Sequence, residues 1–279
     1  MKQKVWLITG ASKGLGLEIA NAALAAGDLV VAAVRRIADH TVAGLGNSDR
    51  AMVVAMDVTN HNEVSRGIDA AVRRFNRIDV VVNNAGYGLL AATEEASDEE
   101  VRKQYDTNVF GMLNVIRAIL PQLRKQSSGY IINISSLYGY LNNIPGLGLY
   151  GSTKFAVEGI SEGLATELKP LGIHVTAVAP GLFRTGFAST ESYQRAANTI
   201  IDYDGTVGKV RSNLSRINGN QPGDPAKLAA IIIKLAASEN PPLHLPVGSD
   251  SFRALRKKIA LISDEMGEWE SISKCTDHV

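Results

Sequence analysis

The chain has 279 residues, of which 45% are hydrophobic and 20% are charged. This composition is typical of a globular protein with a sizeable core, and it excludes the disordered, collagenous and disulfide-stapled classes. The 29 Lys plus Arg residues nearly balance the 28 Asp plus Glu residues, which gives a net charge of +1. A balance of this kind argues against a nucleic acid or an anionic membrane as the partner.

The cysteine and histidine content bears on the compartment and on metal binding. Cys275 is the single cysteine, which excludes an intramolecular disulfide and favours a cytoplasmic protein. The five histidines show no metal-ligand spacing, so we expect no metal. No apolar run has the length of a signal peptide or a membrane span, and we expect neither secretion nor membrane insertion.

Short runs rich in Val and Ile alternate with longer segments of helical pattern. The runs predict buried strands over 5–9, 29–34, 52–56, 80–83, 130–134 and 175–178. Helices are predicted near 15–26, 61–75, 98–125 and 152–169. Because such alternation requires parallel pairing through right-handed crossovers, the predicted fold class is α/β, a doubly wound parallel sheet with helices on both faces. No linker divides the chain, so we expect one domain over 1–279.

The alternation gives way after residue 178 to a polar stretch that contains several glycines. This stretch predicts a substrate lid near 181–222, and the alternative is a surface excursion with no role in binding. Asp224 as N-cap and Pro225 at the first helical position predict a helix over 224–237. A last strand is expected over 243–247. A C-terminal helical tail follows near 249–279, with an amphipathic helix over 249–262 that has one solvated and one packed face.

The first predicted strand runs directly into Thr9-Gly-Ala-Ser-Lys-Gly-Leu-Gly16. Glycines allow a tight turn and close approach of the backbone to a ligand, and the following helix N-terminus presents free N–H groups to a phosphate. The spacing differs from GxGxxG, and a purely structural turn is the alternative. The turn indicates a dinucleotide site.

Tyr150 and Lys154 lie four residues apart in a segment compatible with a helix, which places both side chains on one face. An ammonium about 4 Å from a phenol lowers the phenol pKa by roughly one to three units, toward the working range of a general acid/base. An exposed Tyr–Lys contact is the alternative. Ser136 follows a predicted strand at the carboxyl edge of the sheet, where its hydroxyl can donate to a substrate carbonyl. Ser135 is the alternative there, because consecutive strand residues point to opposite faces.

Taken together, these motifs resemble the short-chain dehydrogenase/reductase family, whose fold is Rossmann-like. The resemblance is strong over residues 5 to about 185 and weaker beyond. It rests on the order of the glycine turn, Asp57, Asn83-Asn-Ala-Gly86, Asn108, Ser136, Tyr150-x-x-x-Lys154 and Pro180-Gly-x-x-x-Thr185. The loop from Ser136 to Tyr150 is one residue longer than the family pattern, so we expect it to be reshaped.

The resemblance implies an oxidoreductase that transfers a hydride between a nicotinamide cofactor and a carbonyl/alcohol pair, as a carbonyl reductase does. Tyr150 would act as general acid/base, Ser136 would hold the carbonyl oxygen, and Lys154 would lower the pKa of Tyr150 and bind the ribose. In the family, the residue equivalent to Asn108 disturbs its helix and positions a water that links the lysine to solvent. The predicted catalytic residues are therefore Asn108, Ser136, Tyr150 and Lys154. An NADP(H)-binding redox sensor or scaffold with little turnover is the alternative, and the direction of the reaction stays open.

The cofactor predicted is NADP(H) rather than NAD(H). An NAD enzyme usually carries an acidic residue after the second strand, whereas this chain has Arg35 and Arg36 there and Lys13 in the glycine turn. Guanidinium groups suit a 2′-phosphate, and ordinary surface arginines are the alternative. The predicted cofactor-binding residues are Gly10, Ser12, Lys13, Gly14, Leu15, Gly16, Arg35, Arg36, Asp57, Val58, Asn84, Ala85, Gly86, Tyr150, Lys154, Pro180, Gly181 and Thr185.

The substrate and the assembly are the last expectations. Several apolar residues are candidates to line a cleft for an apolar ketone or aldehyde, and ordinary core is the alternative: Leu89, Leu90, Leu147, Leu149, Phe183, Phe187 and Tyr193. The family commonly pairs the helices that contain Asn108 and Tyr150 across two-fold axes, which implies a homodimer or homotetramer that the tail over 249–279 can alter.

Overall fold

The computed structural model describes residues 3–37, 45, 48–185, 193–217 and 219–277, and for 214–217 it describes the backbone only. Its strands are β1 (Val5–Thr9), β2 (Leu29–Val34), β3 (Ala51–Ala55), β4 (Val80–Asn83), β5 (Gly88–Leu90), β6 (Gly129–Ile134), β7 (Ile173–Pro180), β8 (Tyr193–Arg195) and β9 (His244–Val247). Its α-helices are α1 (Gly14–Ala25), α2 (His61–Phe75), α3 (Asp98–Tyr105), α4 (Gly111–Gln126), α5 (Gly148–Leu168), α6 (Lys209–Ile217), α7 (Pro225–Ala236) and α8 (Ser249–Lys274).

Seven of the described strands form one parallel sheet in the order β3-β2-β1-β4-β6-β7-β9. Val5 pairs with Leu29, and the register continues to Thr9 opposite Ala33. The chain builds the sheet outward from β1 to β3 and then returns to the other side of β1 with β4. The connections therefore diverge at the carboxyl ends of β1 and β4, where sheets of this kind bind their ligands.

The two faces of the sheet pack on different helices because side chains alternate along each strand. Trp6 and Ile8 of β1 belong to the core beneath α1 and α7, whereas Leu7 belongs to the core that contains Ile116 of α4 and Val157 of α5. Both cores are mainly apolar, as expected for strands that are buried on each side. The prediction of a doubly wound α/β sheet is confirmed.

The predicted element boundaries are close to the observed ones, with three informative differences. β7 extends two residues beyond its predicted range at each end, and α5 begins at Gly148 rather than at residue 152, so it includes Tyr150. Asp224 caps α7 as predicted, since its side chain accepts hydrogen bonds from the N–H groups of Ala226 and Lys227. The predicted helix over 98–125 is divided by a π-helical turn, Asp106–Phe110.

The last helix differs most from its prediction. α8 is one continuous helix to Lys274, within the helical tail predicted near 249–279 and beyond the amphipathic segment predicted over 249–262. The expectation that this segment has a packed apolar face is wrong, because its large apolar side chains are mostly exposed. Ser251 is the one residue of α8 that is buried. Within the part of the chain that the structure describes, no helix is both long enough and apolar enough to cross a bilayer.

Candidate active site

A cavity of about 1070 Å³ opens at the carboxyl edge of β1, β4, β6 and β7. Its volume is at the upper end of the range of small-molecule sites. Three predicted site residues, Gly16, Arg36 and Asn108, are not part of its wall. The wall includes the other predicted site residues, Gly10, Ser12, Lys13, Gly14, Leu15, Arg35, Asp57, Val58, Asn84, Ala85, Gly86, Ser136, Tyr150, Lys154, Pro180, Gly181 and Thr185.

The glycine turn shapes one end of the cavity. Gly10 and Gly14 have φ angles of 65° and 58°, in the left-handed region that glycine adopts without strain. Gly16 lies outside the cavity wall and packs closely against the turn. A Cβ on Gly16 would overlap the carbonyl oxygen of Gly10 and lie 2.6 Å from Asn84 Nδ2. The structure therefore gives Gly16 a packing position.

Buried polar contacts hold the exit of β4 against this turn. Thr9 Oγ1 accepts hydrogen bonds from the N–H groups of Asn84 (3.0 Å) and Ala85 (3.1 Å), and Asn84 Nδ2 donates to the carbonyl of Thr9 (2.9 Å). Deeper in the sheet, Asn83 Nδ2 donates to Asn133 Oδ1 at 2.8 Å. These contacts hold the ends of β1, β4 and β6, which border the cavity, in fixed positions relative to one another.

Tyr150 lies in the first turn of α5 and is only 4% exposed. Its ring meets those of Tyr138 and Tyr193 edge-on, with centroids 6.2 and 5.9 Å away. Ser136 Oγ accepts a hydrogen bond from the N–H of Tyr138 (3.2 Å), and its hydroxyl bonds to Tyr150. Ser135 Oγ instead donates to the carbonyl of Lys154 (3.4 Å). The structure thus brings Ser136, and not Ser135, to the tyrosine.

Lys154 lies one turn after Tyr150 and is buried. Its Nζ donates to the carbonyl of Ile134 (2.8 Å) and lies 5.9 Å from the centroid of the Tyr150 ring. Burial lowers the pKa of Lys154 to about 8, and the nearby charge of Glu158 opposes this shift. Glu158 is itself buried, and burial raises its pKa above the usual range.

The pKa of Tyr150 moves in the direction opposite to the expected one. Burial raises it above the usual range, and the hydrogen bond with Ser136 opposes this shift without reversing it. The reason is that a buried phenolate loses its hydration. This loss of solvation free energy is larger than the stabilisation that the hydrogen bond from Ser136 gives to the phenolate. Burial therefore favours the neutral phenol form of Tyr150.

Asn108 lies within the π-helical turn, where its side chain reaches across to the loop that follows β4. Nδ2 donates to the carbonyl of Tyr87 (2.9 Å) and to Thr153 Oγ1 (3.1 Å), and Oδ1 accepts from the N–H of Tyr87 (3.0 Å). A Cβ on Gly86 would lie 3.0 Å from Asn108 Oδ1. Asn108 thus joins α5 to the Gly86 loop from behind the cavity wall.

The predicted lid near 181–222 contributes to the wall through its described residues. β8 pairs in parallel with β5, and the register of Tyr193 opposite Gly88 sets the Tyr193 ring beside Tyr150. Residues 186–192 and 218 lie outside the described residues, and Phe187 is among them. The described lid residues in the wall are Gly181, Leu182, Phe183, Thr185, Tyr193, Gln194, Lys209, Val210, Asn213 and Gln221.

The expected apolar cleft is observed in part. Leu147, Phe183 and Tyr193 are in the wall, as are Ile144, Val210 and Tyr138, which the sequence interpretation did not include. The prediction is wrong for three leucines: Leu89 and Leu90 are buried in β5, and Leu149 is outside the wall.

Glu95 and Arg211 form a buried ion pair that the sequence does not reveal. Glu95 accepts hydrogen bonds from the N–H groups of Ala92 (2.9 Å) and Ile200 (3.0 Å) and from Arg211 (2.6 Å). Burial by itself raises the pKa of Glu95, but these donors together hold it below its usual range. The partners are 116 residues apart, and no local pattern distinguishes Glu95 from Glu94. Through these contacts Glu95, in the segment after β5, binds Ile200 and Arg211 of the lid, and so the ion pair connects the lid to the rest of the fold.

We expect Glu95→Gln to destabilise the protein and to raise the substrate KM more than it lowers kcat. Removing one partner of a buried ion pair costs about 3–5 kcal/mol, and here the loss also releases the lid. Because the folded pKa of Glu95 is lowered, its contribution is present above the pKa of an unfolded glutamate and is lost as the pH falls through the folded pKa. Thermal unfolding between pH 3 and pH 7 measures the difference.

The matched control is Glu94→Gln. Glu94 is exposed and accepts a hydrogen bond from the Tyr203 hydroxyl (2.8 Å), so its loss should cost little. Equal effects of the two substitutions on Tm and KM would contradict the assigned role of Glu95.

The residues of the cavity fit a nicotinamide dinucleotide. Gly14 and Leu15, at the start of α1, are in the wall, where helix N–H groups favour a phosphate. Gly14 lies beside Thr185, since a Cβ on it would be in van der Waals contact, 3.4 Å from the carbonyl oxygen of Thr185. Asp57 and Val58 continue the wall beyond β3, and Asp57 Oδ1 accepts hydrogen bonds from the N–H and hydroxyl of Thr59.

Comparison with known proteins gives relatives along nearly the whole chain. Residues 4–196 match the family model of the short chain dehydrogenases. The chain is 38% identical over 271 residues to Oxidoreductase BOA17 of Botryotinia fuckeliana (strain B05.10), which covers 97% of this chain and 98% of that protein. It is 37% identical over 248 residues, 89% of each protein, to a 3-ketodihydrosphingosine reductase of Bacteroides thetaiotaomicron.

Solved structures agree with these relatives. A short-chain dehydrogenase from Streptomyces avermitilis superposes with a TM-score of 0.90 at 40% identity, over 99% of this chain and all of that one. ElxO with NADP bound gives a TM-score of 0.72 at 30% identity, over 88% and 97% of the two chains. A 3-ketoacyl-(acyl-carrier-protein) reductase from Brucella melitensis, in complex with NADH, gives 0.74 at 28%, over 89% and 98%. The motifs, the sheet and these similarities lead to one conclusion: the chain belongs to the short-chain dehydrogenase/reductase family of oxidoreductases.

Proposed function

We propose that this protein transfers a hydride between NADP(H) and an apolar ketone or aldehyde, or the corresponding alcohol, within one catalytic domain over 1–279. One observation carries the proposal: Ser136, Tyr150 and Lys154 converge in the wall of a cavity that also contains the glycine turn. A cofactor-binding sensor has no use for a buried tyrosine beside a serine hydroxyl, so the geometry favours an enzyme.

The chain's own residues orient the substrate and move the proton. A bound nicotinamide supplies or accepts the hydride. The Ser136 hydroxyl donates to the substrate oxygen, and the Tyr150 hydroxyl gives that oxygen its proton during reduction. The Lys154 ammonium stabilises the phenolate that forms. Burial keeps Tyr150 protonated before the step, which suits a general acid. Asn108 positions Gly86 and Tyr87 behind this group, and we propose that it also supports the route by which the proton is replaced.

The proposed preference for NADP(H) rests on Arg35. This residue directly follows β2 and is in the cavity wall, as is Lys13 of the glycine turn. Both arginines are exposed, but Arg36 is outside the wall, so Arg35 is the guanidinium that suits a 2′-phosphate. Among the solved relatives, ElxO holds NADP and the Brucella reductase holds NADH, so both cofactors occur on this fold.

The proposed substrate class follows from the cavity wall around Tyr150. Tyr138, Leu147, Phe183 and Tyr193 present mainly apolar surface there, which favours an apolar carbonyl compound over a charged one. The name of the Bacteroides relative, 3-ketodihydrosphingosine reductase, also specifies a ketone as substrate.

The oxidation of NADPH in the presence of a carbonyl panel tests this function. We expect turnover with apolar ketones and aldehydes and little with small charged keto acids. Efficient reduction of the charged acids alone would contradict the substrate class. Tight NADPH binding with no turnover on any carbonyl compound would instead identify a sensor or scaffold.

We further propose that the protein is a cytoplasmic homodimer or homotetramer. Phe110 and Phe155, on the helical segments that contain Asn108 and Tyr150, are 53% and 41% exposed. Large apolar side chains on a surface mark candidate contacts with other proteins. The cytoplasmic location rests on the single cysteine of the chain.

The pH dependence of kcat/KM for reduction should follow the protonation of the Lys154 amine. Because burial lowers the pKa of Lys154 to about 8, we expect kcat/KM to fall as the pH rises past about 8, where the ammonium loses its proton. Glu158→Gln removes a negative charge that raises this pKa, so the fall should move to lower pH. Glu162→Gln, an exposed glutamate on the same helix, is the control and should leave the profile in place. A profile that Glu158→Gln does not shift would contradict this coupling.

A further inference from the structure

The apolar side chains of α8 form a narrow stripe that the body of the protein does not cover. Phe252, Leu255, Ile259, Ile262, Met266 and Trp269 are spaced alternately three and four residues apart along the helix. Leu255 is partly buried, and the other five are 47%, 60%, 41%, 66% and 60% exposed. A strict three–four spacing is the pattern of a coiled-coil seam, narrower than the face of a helix that packs on a globular core.

α8 touches the body mainly through its first turn. Ser251 Oγ donates to the carbonyl of Ala179 (2.7 Å), and Asp250 Oδ2 accepts from the N–H of Leu182 (2.7 Å). From Ile259 to Asp277 every residue is exposed. The helix has 26 residues and so spans about 39 Å, and most of that length is an arm with an uncovered stripe.

The charges of α8 are segregated along its length. Between Arg253 and Glu270, the first half carries Arg253, Arg256, Lys257 and Lys258, and the second half carries Asp264, Glu265, Glu268 and Glu270. The two exceptions lie at the helix ends, where Asp250 bonds to the body and Lys274 pairs with Glu270 of its own helix. Two parallel copies would set like charges at the same level, which is unfavourable. Two antiparallel copies would set the basic half of each helix beside the acidic half of the other.

One antiparallel register pairs the apolar residues of the stripe with one another and also brings opposite charges together. A two-fold axis between Ala260 and Leu261 places Phe252 level with Trp269 of the second copy, Leu255 with its Met266, and Ile259 with its Ile262. All six apolar residues of the stripe are then paired.

The same two-fold axis also brings opposite charges together beside the seam. Lys258 and Glu265 flank the stripe on one side, and the axis brings Lys258 beside Glu265 of the second copy. A closed two-fold contact of this kind uses the same surface on both subunits.

We propose that α8 is a self-association arm, which pairs with α8 of a second copy of this chain as a two-stranded antiparallel coiled coil. The contact is separate from the catalytic cavity and from Phe110 and Phe155. It deepens the proposed self-association and does not depend on the proposed activity. A lipid surface is the competing occupant, and the acidic second half of α8 disfavours anionic lipid.

Sedimentation equilibrium of the full-length protein tests the stripe with two adjacent residues. Ile262 lies in the stripe and Leu261 beside it, and each is 41% exposed. We expect Ile262→Glu to abolish the contact and lower the mass of the assembly, and Leu261→Glu to leave the mass unchanged. An assembly mass that Ile262→Glu leaves unchanged overturns the proposal. So does a monomeric wild-type protein that co-sediments with phosphatidylcholine vesicles.

Charge exchange tests the antiparallel direction. Lys258→Glu alone or Glu265→Lys alone creates like-charge pairs twice in a symmetric dimer, and we expect each to weaken association roughly tenfold. Combining the two restores opposite charges and should restore the wild-type association constant. Failure of the combined variant to recover overturns the antiparallel register.

A distance measurement distinguishes the two directions independently. Cys275, the single cysteine, is exposed just beyond α8 and accepts a spin label. The antiparallel register separates the two labels by roughly 40–45 Å along the helix axis. A parallel pair would bring them within about 20 Å. A dominant short distance overturns the proposal, and none of these readouts requires turnover.

Discussion

Tyr150→Phe is expected to lower kcat by about 10²–10⁴-fold, the range that proton transfer by a positioned side chain contributes. The substitution removes only the hydroxyl that gives its proton to the substrate oxygen. The ring, its edge-on contacts with Tyr138 and Tyr193, and the rest of the cavity wall remain. The dissociation constant of NADPH should therefore be unchanged. Single-turnover kinetics and fluorescence titration with NADPH measure the two quantities separately.

Tyr130→Phe is the matched control for this result. Tyr130 is also a buried tyrosine, and its hydroxyl bonds to Thr176 Oγ1 (2.6 Å) within the sheet, away from the cavity. Its loss should lower the free energy of unfolding by about 0.5–1.5 kcal/mol, the contribution of one hydrogen bond, with kcat unchanged. Retained turnover in Tyr150→Phe, or an equal loss in Tyr130→Phe, would refute Tyr150 as the proton donor.

Arg35→Ala should weaken NADPH binding roughly 10- to 100-fold and leave NADH binding unchanged. A hydrogen bond from a guanidinium to a charged acceptor is worth about 1.5–3 kcal/mol, and each 1.4 kcal/mol is a factor of ten. Since NADH has no 2′-phosphate, it loses nothing when the guanidinium is removed. The loss should shrink at high salt, because added ions screen the exposed part of the interaction.

The adjacent arginine serves as control. Arg36 is exposed, as Arg35 is, but it is not in the cavity wall, so Arg36→Ala should change NADPH binding far less than Arg35→Ala does. If the two substitutions weakened NADPH binding equally, the result would contradict a specific contact between Arg35 and the 2′-phosphate. A wild-type protein that binds NADH as tightly as NADPH, or more tightly, would refute the proposed preference itself.

The sequence predicted the sheet well because its strands are encoded locally. β1 and β2 are short Val- and Ile-rich runs that are buried on both faces, and their predicted limits coincide with the observed ones. The glycine turn was located for a related reason, because it directly follows a strand that hydrophobic periodicity reveals. Ser136 and Tyr150 were assigned from their places in the family motifs, and Tyr150 lies outside the helix predicted near 152–169. The cavity wall accordingly includes most of the predicted site.

Contacts between distant parts of the chain could not be predicted in this way. Asn108, in the π-helical turn, bonds to the backbone of Tyr87, and Glu95 meets Arg211 across 116 residues. The raised pKa of Tyr150 likewise depends on how completely the surrounding rings exclude water. Local pattern contains none of this information, because each effect arises only when the chain has folded.

α8 shows that periodicity identifies an apolar face without identifying what covers it. The pattern predicted an amphipathic helix correctly, but the expected packed face is exposed in the folded chain. Charge order along the helix, read together with that exposure, supplies the missing information, because it favours one partner and one direction.

Hydride transfer to a carbonyl carbon is tested most directly by isotope labelling. The protein is incubated with an apolar ketone that it reduces and with NADPH deuterated at C4 of the nicotinamide, each of the two faces in turn. We expect one deuterium on the carbinol carbon from one labelled face and none from the other. Oxidation of NADPH that leaves the alcohol unlabelled from both faces would contradict the account.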